Sequence, residues 1–175
     1  MSTATVRTVA QSDIPAITRI YAEAVRHGTA TFEIEPPDES EMARRQQALL
    51  VKNYPFYLVA ETAGEVAGYA YAGPYHARAA YRSSIENSIY VAADFYRRGM
   101  GRLLLSGLIA ESEKRGFRQM IAVIGDSANT ASIALHAAAD FRLIGTLQSV
   151  GFKHGRWLDV VVMQRALGEG DSTPP

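Results

Sequence analysis

A carboxylate and a basic, glycine-containing turn lie close together in this chain. Glu86 belongs to the run Ile85-Glu86-Asn87-Ser88-Ile89-Tyr90-Val91, and Tyr96-Arg97-Arg98-Gly99-Met100-Gly101-Arg102 follows soon after. The first run reads as a strand, and the turn leads into Leu103-Leu104-Leu105, the start of an apolar helix. A helix N-terminus carries unpaired N–H groups and the positive end of the peptide dipoles. Two glycines let an anion approach the main chain there. Arg97, Arg98 and Arg102 add charge complementary to a diphosphate. On the strand, Glu86, Ser88 and Tyr90 share one face, while Ile85, Asn87, Ile89 and Val91 share the other. The pattern points to a phosphate-bearing ligand held beside a carboxylate able to serve as a general base. On the residues alone, a glycine pair before a helix is also an ordinary tight turn, and Glu86 an ordinary salt-bridging acid. The turn is no dinucleotide fingerprint, because Leu104 stands where the third glycine belongs. It is no P-loop either, because no Gly-Lys-Ser/Thr follows.

The elements that must position these residues follow from the rest of the chain. Its 175 residues suit one domain, and a 47% hydrophobic content allows a substantial core. The 18 basic residues balance 18 acidic ones, which argues against a general nucleic-acid or membrane-binding surface. The lack of cysteine excludes disulfides, thiolate metal sites and a cysteine nucleophile. His27, His76, His136 and His154 lack metal-ligand spacing, so no metal is expected. The N-terminus lacks an apolar signal core, and no run is long enough to span a bilayer, so a cytoplasmic protein is expected.

The spacing predicts a strand over Thr5 to Val9, then a helix capped at Ser12 or Asp13 with Ile14, Ile17, Ile20 and Ala24 on one face. Asp38 to Glu41 resembles a capping box before a polar helix. Phe56 to Glu61 and Val66 to Tyr71 form a hairpin around Ala63-Gly64. A loop or short helical turn, Gly73 to Ala80, precedes the strand carrying Glu86. Gly99 to Lys114 is a helix that Gly116 ends, followed by a buried strand over Gln119 to Gly125. Ser127 to Ala139 holds a loop and a helix. Gly145 to Gly151 and Trp157 to Gln164 are the last strands. Residues 1–167 then make one domain, and 168–175 a disordered tail. This order predicts an α/β (α+β) fold, a central mixed twisted sheet flanked by helices on both faces.

The turn from Tyr96 to Gly101 resembles the Q/R-x-x-G-x-G/A motif of the GNAT N-acetyltransferase superfamily. Asn129, Ser132, Leu135 and His136 match a second stretch of that superfamily's acetyl-CoA site. More specifically, the chain resembles the phosphinothricin N-acetyltransferases and their relatives that acetylate methionine sulfone or sulfoximine. Gly73 to Tyr81, Glu86 to Val91, and Gly145 through Lys153-His154-Gly155-Arg156-Trp157-Leu158-Asp159-Val160 carry this resemblance. It runs from about Val6 to Leu167. Tyr96 replaces the usual Gln or Arg, and Ala139-Asp140-Phe141 replaces the usual Leu-Gly-Phe.

The resemblance implies an acyl-CoA N-acyltransferase fold with acetyl-CoA as cosubstrate and a small-molecule amine as acceptor. It implies catalysis by Glu86, directly or through a water, with His136 near the leaving sulfur. Ile89, Tyr90 and Val91 would bond the pantetheine arm, Val91 also supporting the thioester oxygen. Arg97, Arg98, Gly99, Met100, Gly101 and Arg102 would cradle the diphosphate, with Asn129 and Ser132 as further cofactor contacts. Phe32, Tyr75, Arg78, Tyr81, Arg82 and His154 would recognise the acceptor. Trp157 would be a core or dimer-interface anchor, and a homodimer would use the C-terminal strands. Direct amine attack on acetyl-CoA, with phosphinothricin or methionine derivatives as acceptors, is the expected reaction. Another small amine as acceptor and a non-catalytic acyl-CoA sensor are the alternatives.

Overall fold

The computed structural model describes residues 4–54, 58–62 and 64–175. Seven strands form a single sheet in the order β1-β2-β3-β4-β5-β7-β6. They are β1 (Thr5–Thr8), β2 (Leu58–Thr62), β3 (Glu65–Pro74), β4 (Ser84–Val91), β5 (Gln119–Gly125), β6 (Arg142–Lys153) and β7 (Arg156–Ala166). Four helices accompany them: α1 (Ile14–His27), α2 (Glu39–Val51), α3 (Met100–Lys114) and α4 (Thr130–Ala137). Among the described residues only β4 and β5 pair in parallel, so the sheet is mixed as expected. The helix between them, α3, supplies the crossover that parallel strands require.

Strand alternation sorts the two faces. One carries Tyr69 with Tyr71 and Tyr90 beneath α1 and α2, packed on Ile17, Tyr21, Val25 and Met42. The other carries Ala60, Ala70, Ala72 and Ile85 beneath α3, packed on Leu104, Leu105 and Leu108. Small side chains on β2 and β3 let the leucines of α3 lie close to the sheet. Each fully buried leucine contributes about 1.5–3 kcal/mol.

Several local expectations are modified. Asp13 does not cap α1 through its side chain. Its carboxylate accepts from the Ala10 N–H at 2.7 Å and from Arg7 at 2.7 and 2.9 Å, tying β1 to the helix entrance. Asp38 does cap α2, accepting from the Glu41 N–H at 2.8 Å, but Glu41 turns toward Arg44 and Arg45. β6 and β7 run longer than expected, with a register shift between Leu147 and Gly151. Phe56 and Ala63, at the expected hairpin's start and turn, lie outside the described residues. Trp157 is not a core residue: it is 64% exposed and packs edge-on against Phe152 at 5.3 Å. Residues 168–175 follow β7 as turns beside Arg118, which donates to Glu169, Thr173 and the Pro174 carbonyl. Among the described residues, no helix is long and apolar enough to cross a membrane.

Candidate active site

β4 and β5 part company halfway. Their pairing runs from Ser84–Gln119 to Asn87–Ala122 and stops, although β4 continues to Val91 and β5 to Gly125. Beyond Asn87 each strand keeps its outer partner, β3 or β7, but presents an open inner edge. A cleft of about 50 Å³ fills this fork. Ile89, Tyr90, Val123 and Gly125 line it from the strands, Asn129, Ser132 and His136 from α4, and Ala30 from the α1–α2 loop. An open strand edge pairs with any extended ligand that carries amides, in the manner of an added strand. A pantetheine arm is such a ligand.

The basic turn sits where β4 ends. Gly99 takes φ +83° and Arg97 φ +61°, so the chain twice enters the left-handed region before α3 begins. The first helical bond is Leu103 N–H to the Gly99 carbonyl at 3.0 Å. The N–H groups of Met100, Gly101 and Arg102 thus lie before it, without intrahelical acceptors. Gly101 has a packing role: a Cβ there would come within 3.2 Å of Leu135 on α4 and 4.0 Å of Val91. Arg97, Arg98 and Arg102 are exposed, and among the described residues none has an ion-pair partner. Free amides, three guanidiniums without an ion-pair partner among the described residues, Arg98 resting over the Phe95 ring at 5.4 Å, and a fork that continues from them suit the diphosphate and pantetheine of acetyl-CoA.

The α4 residues divide their bonding between structure and cleft. Asn129 caps α4, its Oδ1 accepting from the Ser132 N–H at 3.2 Å, which leaves its NH₂ group for the cleft. His136 is 3% exposed, with Nδ1 at 2.8 Å from the Ser132 carbonyl and Nε2 at 3.0 Å from Asn87 Oδ1. Phe141 packs against its ring edge-on. Burial holds its pKa below the ordinary value, so the ring is favoured neutral. A neutral imidazole donates at only one nitrogen. That one proton serves either the Ser132 carbonyl or Asn87 Oδ1, and Asn87 in turn donates its NH₂ to the Ile121 carbonyl at 3.3 Å.

Glu86 occupies the opposite face of β4 from Asn87 and His136. It is paired with Gly73 on β3 and Ile121 on β5. Burial pushes its carboxyl above the ordinary range, and among the described residues no hydrogen bond or ion pair engages it. It is thus a stronger base than an exposed glutamate and is available to a proton donor.

The expected acceptor residues fall into two groups. In the β3–β4 loop, Tyr75, His76 and Tyr81 form an aromatic cluster with centroids 4.1 to 5.8 Å apart, and Arg78 and Arg82 are exposed beside it. At the far end of β5, Phe32 rests against Gly125 and Gly151, and His154 Nε2 donates to the Gly28 carbonyl at 3.2 Å. Among the described residues, no hydrogen bond, ion pair or ring contact joins the two groups. Sequence reasoning gave no role to Asn87, Lys153, Gly125 or Tyr21. Lys153 stands within a motif segment, but its partner, the Thr31 carbonyl, is remote in sequence.

Comparison with known proteins agrees with this geometry. Residues 6–162 match the family model described as an acetyltransferase (GNAT) domain. A phosphinothricin N-acetyltransferase of Alcaligenes faecalis is 54% identical over 98% of this chain and 86% of its own. An L-methionine sulfoximine/L-methionine sulfone acetyltransferase of Pseudomonas paraeruginosa is 37% identical, over 98% and 99%. The crystal structure of a GNAT superfamily phosphinothricin acetyltransferase from Sinorhizobium meliloti, in complex with acetyl-CoA, superposes with TM-score 0.95 at 49% identity, covering 99% and 93%. A fork that ends at a positively charged helix start, seen in a chain this similar to enzymes of one kind over nearly its whole length, leaves a single conclusion: the protein belongs to the GNAT family and is an acetyl-CoA-dependent N-acetyltransferase.

Proposed function

We propose that the protein moves acetyl from acetyl-CoA to the α-amino group of a small amino-acid analogue, with phosphinothricin and methionine sulfoximine or sulfone as the leading acceptors. The acceptors of its relatives support this choice. The observation that carries the mechanism is the raised, unpaired carboxyl of Glu86 beside the start of the fork. Acetyl-CoA supplies an already activated acyl carbon. Glu86 takes a proton from the acceptor's ammonium group, directly or through a water, which frees the nitrogen lone pair for attack. The N–C bond forms, the C–S bond breaks, and the proton that CoA needs to leave as a thiol comes from the acceptor's nitrogen. His136 is the group proposed beside the leaving sulfur, oriented by Ser132 and Asn87. Main-chain amides of Ile89 to Val91 hold the arm and support the thioester oxygen.

The basic turn Arg97–Arg102 is proposed to hold the diphosphate, with Asn129 and Ser132 on the pantetheine. Arg78 is proposed to grip the acceptor's carboxylate or phosphinate, with Tyr75, Tyr81, Arg82, Phe32 and His154 completing that end. A cytoplasmic homodimer joined through β6 and β7 is also inferred; the exposed apolar residues Leu143, Ile144, Leu147, Val150, Phe152 and Trp157 support the interface. The test is a free-thiol release assay with acetyl-CoA against phosphinothricin, methionine sulfoximine, methionine sulfone, unmodified amino acids and polyamines. Turnover confined to the amino-acid analogues is expected. Preference for polyamines, or CoA binding without any turnover, would overturn the proposal.

A further inference from the structure

Phe32 lies in a seat made of two glycines on strands that are not neighbours. A methyl group on Gly151 of β6 would overlap the ring, reaching 2.5 Å from Cδ2 and 2.8 Å from Cζ. One on Gly125 of β5 would approach Cε1 to 3.1 Å and overlap the Thr29 carbonyl. Gly125 also lines the fork, as does Ala30 of the same loop. The seat is fastened from both sides. Lys153, 4% exposed, donates to the Thr31 carbonyl at 2.8 Å across the sheet. The Thr31 hydroxyl lies 3.0 Å from the Tyr21 hydroxyl, which donates to Glu33 at 2.9 Å. Arg45 clamps Glu33 in turn. A buried ammonium is retained only where a polar partner offsets its desolvation. Here that partner is a loop carbonyl, so the cation fixes a backbone position.

We infer that Gly125, Gly151 and Lys153 are positioning residues that fix the α1–α2 loop, and through Phe32 and Ala30 set which acceptor side chains fit beside the fork. This rests on the acceptor reading above and adds the residues that shape that pocket without touching its contents. Any side chain at position 151 tilts the ring toward the cleft. Loss of the Lys153 ammonium releases the Thr31 carbonyl and lets the loop withdraw. The diphosphate of acetyl-CoA is held elsewhere, by the basic turn, so acetyl-CoA affinity depends far less on the seat than acceptor KM does.

The test compares wild type, Gly151→Ala, Lys153→Met, Phe32→Leu and Gly151→Ala/Phe32→Leu. The readouts are KM and kcat for phosphinothricin and methionine sulfone, with acetyl-CoA affinity from calorimetry. Gly151→Ala should raise acceptor KM about tenfold, the scale on which pocket shape discriminates. It should also shift the ratio of kcat/KM between the two acceptors and change acetyl-CoA affinity far less than acceptor KM. The smaller side chain of Phe32→Leu, combined with Gly151→Ala, should restore much of the KM. Lys153→Met should also shift the ratio. An unmoved ratio, parallel losses of acetyl-CoA affinity and acceptor KM, or a double variant no better than Gly151→Ala would overturn the inference. If Gly151→Ala does not fold, Phe32→Leu and Lys153→Met carry the test, and unchanged ratios in both overturn it. Wild type inactive on every amino-acid acceptor would instead overturn the proposed function itself, read before any variant is made.

Discussion

Glu86 shows how little of a residue's chemistry lies in its type. As a strand acid it reads equally as a surface salt-bridge partner; burial without a cation beside it raises its carboxyl and makes it a usable base. Glu86→Gln should lower kcat by about 10²–10⁴-fold, the usual worth of positioned proton transfer. Acetyl-CoA affinity should persist, because the anion turn is untouched. The acid limb of the kcat/KM profile should lie above the ordinary glutamate value and vanish in this variant. Arg78 is exposed and its proposed role is binding alone, so Arg78→Ala should raise acceptor KM with little change in kcat. His136 gives a separate stability signal. Its folded-state pKa is below the unfolded 6.5, so the unfolded chain binds the extra proton. Its contribution is complete above about pH 6.5 and is lost as pH falls through the folded value. Urea midpoints measured across that range should fall with pH in wild type and be flatter in His136→Phe.

At the scale of elements, the fork and the turn form one device. β4 delivers an unpaired edge, and Gly99 and Arg97 turn the chain so that α3 begins with its amides aimed outward. Gly99 is forced by its φ of +83°, where a β-branched residue is strongly disfavoured. Gly99→Val should weaken acetyl-CoA binding at least about tenfold, which corresponds to the roughly 1–2 kcal/mol of strain that the turn relieves by rearranging. Circular dichroism should show the helices intact, and calorimetry with CoA reads the loss. The turn's glycines and arginines were legible because they cluster within a few residues directly before an apolar helix. The fork was not, since Ser84 to Val91 has the same strand pattern on both sides of the point where β5 leaves. Asn87 is read as one more inward residue until the tertiary structure shows it bonded to Ile121 and His136.

On the scale of the whole molecule, β6 is an edge strand of the sheet, and with β7 beside it carries six of the exposed large apolar residues among those described. Trp157 and Phe152 meet edge-on on this face, 64% and 57% exposed. That exposure in a chain with an ample core suits burial against a second copy. Sedimentation should give twice the chain mass for wild type and the monomer mass for Trp157→Lys. A wild-type monomer would remove the dimer from the proposal. The same strands bear Gly151 and Lys153, so the face proposed for assembly and the seat of Phe32 lie on one element.

Periodicity and one cluster of glycines and arginines determined the order of strands and helices and marked the turn before α3, because each depends on neighbours within one strand or one helical turn; the family resemblance, not local pattern, singled out Glu86 as the candidate base. Tertiary structure alone decided the rest. Glu86 and His136 stand on opposite faces of β4, Trp157 lies outside the core, and Phe32 sits on glycines more than ninety residues away in sequence. Desolvation and close packing are set by groups distant along the chain, and no local pattern encodes them.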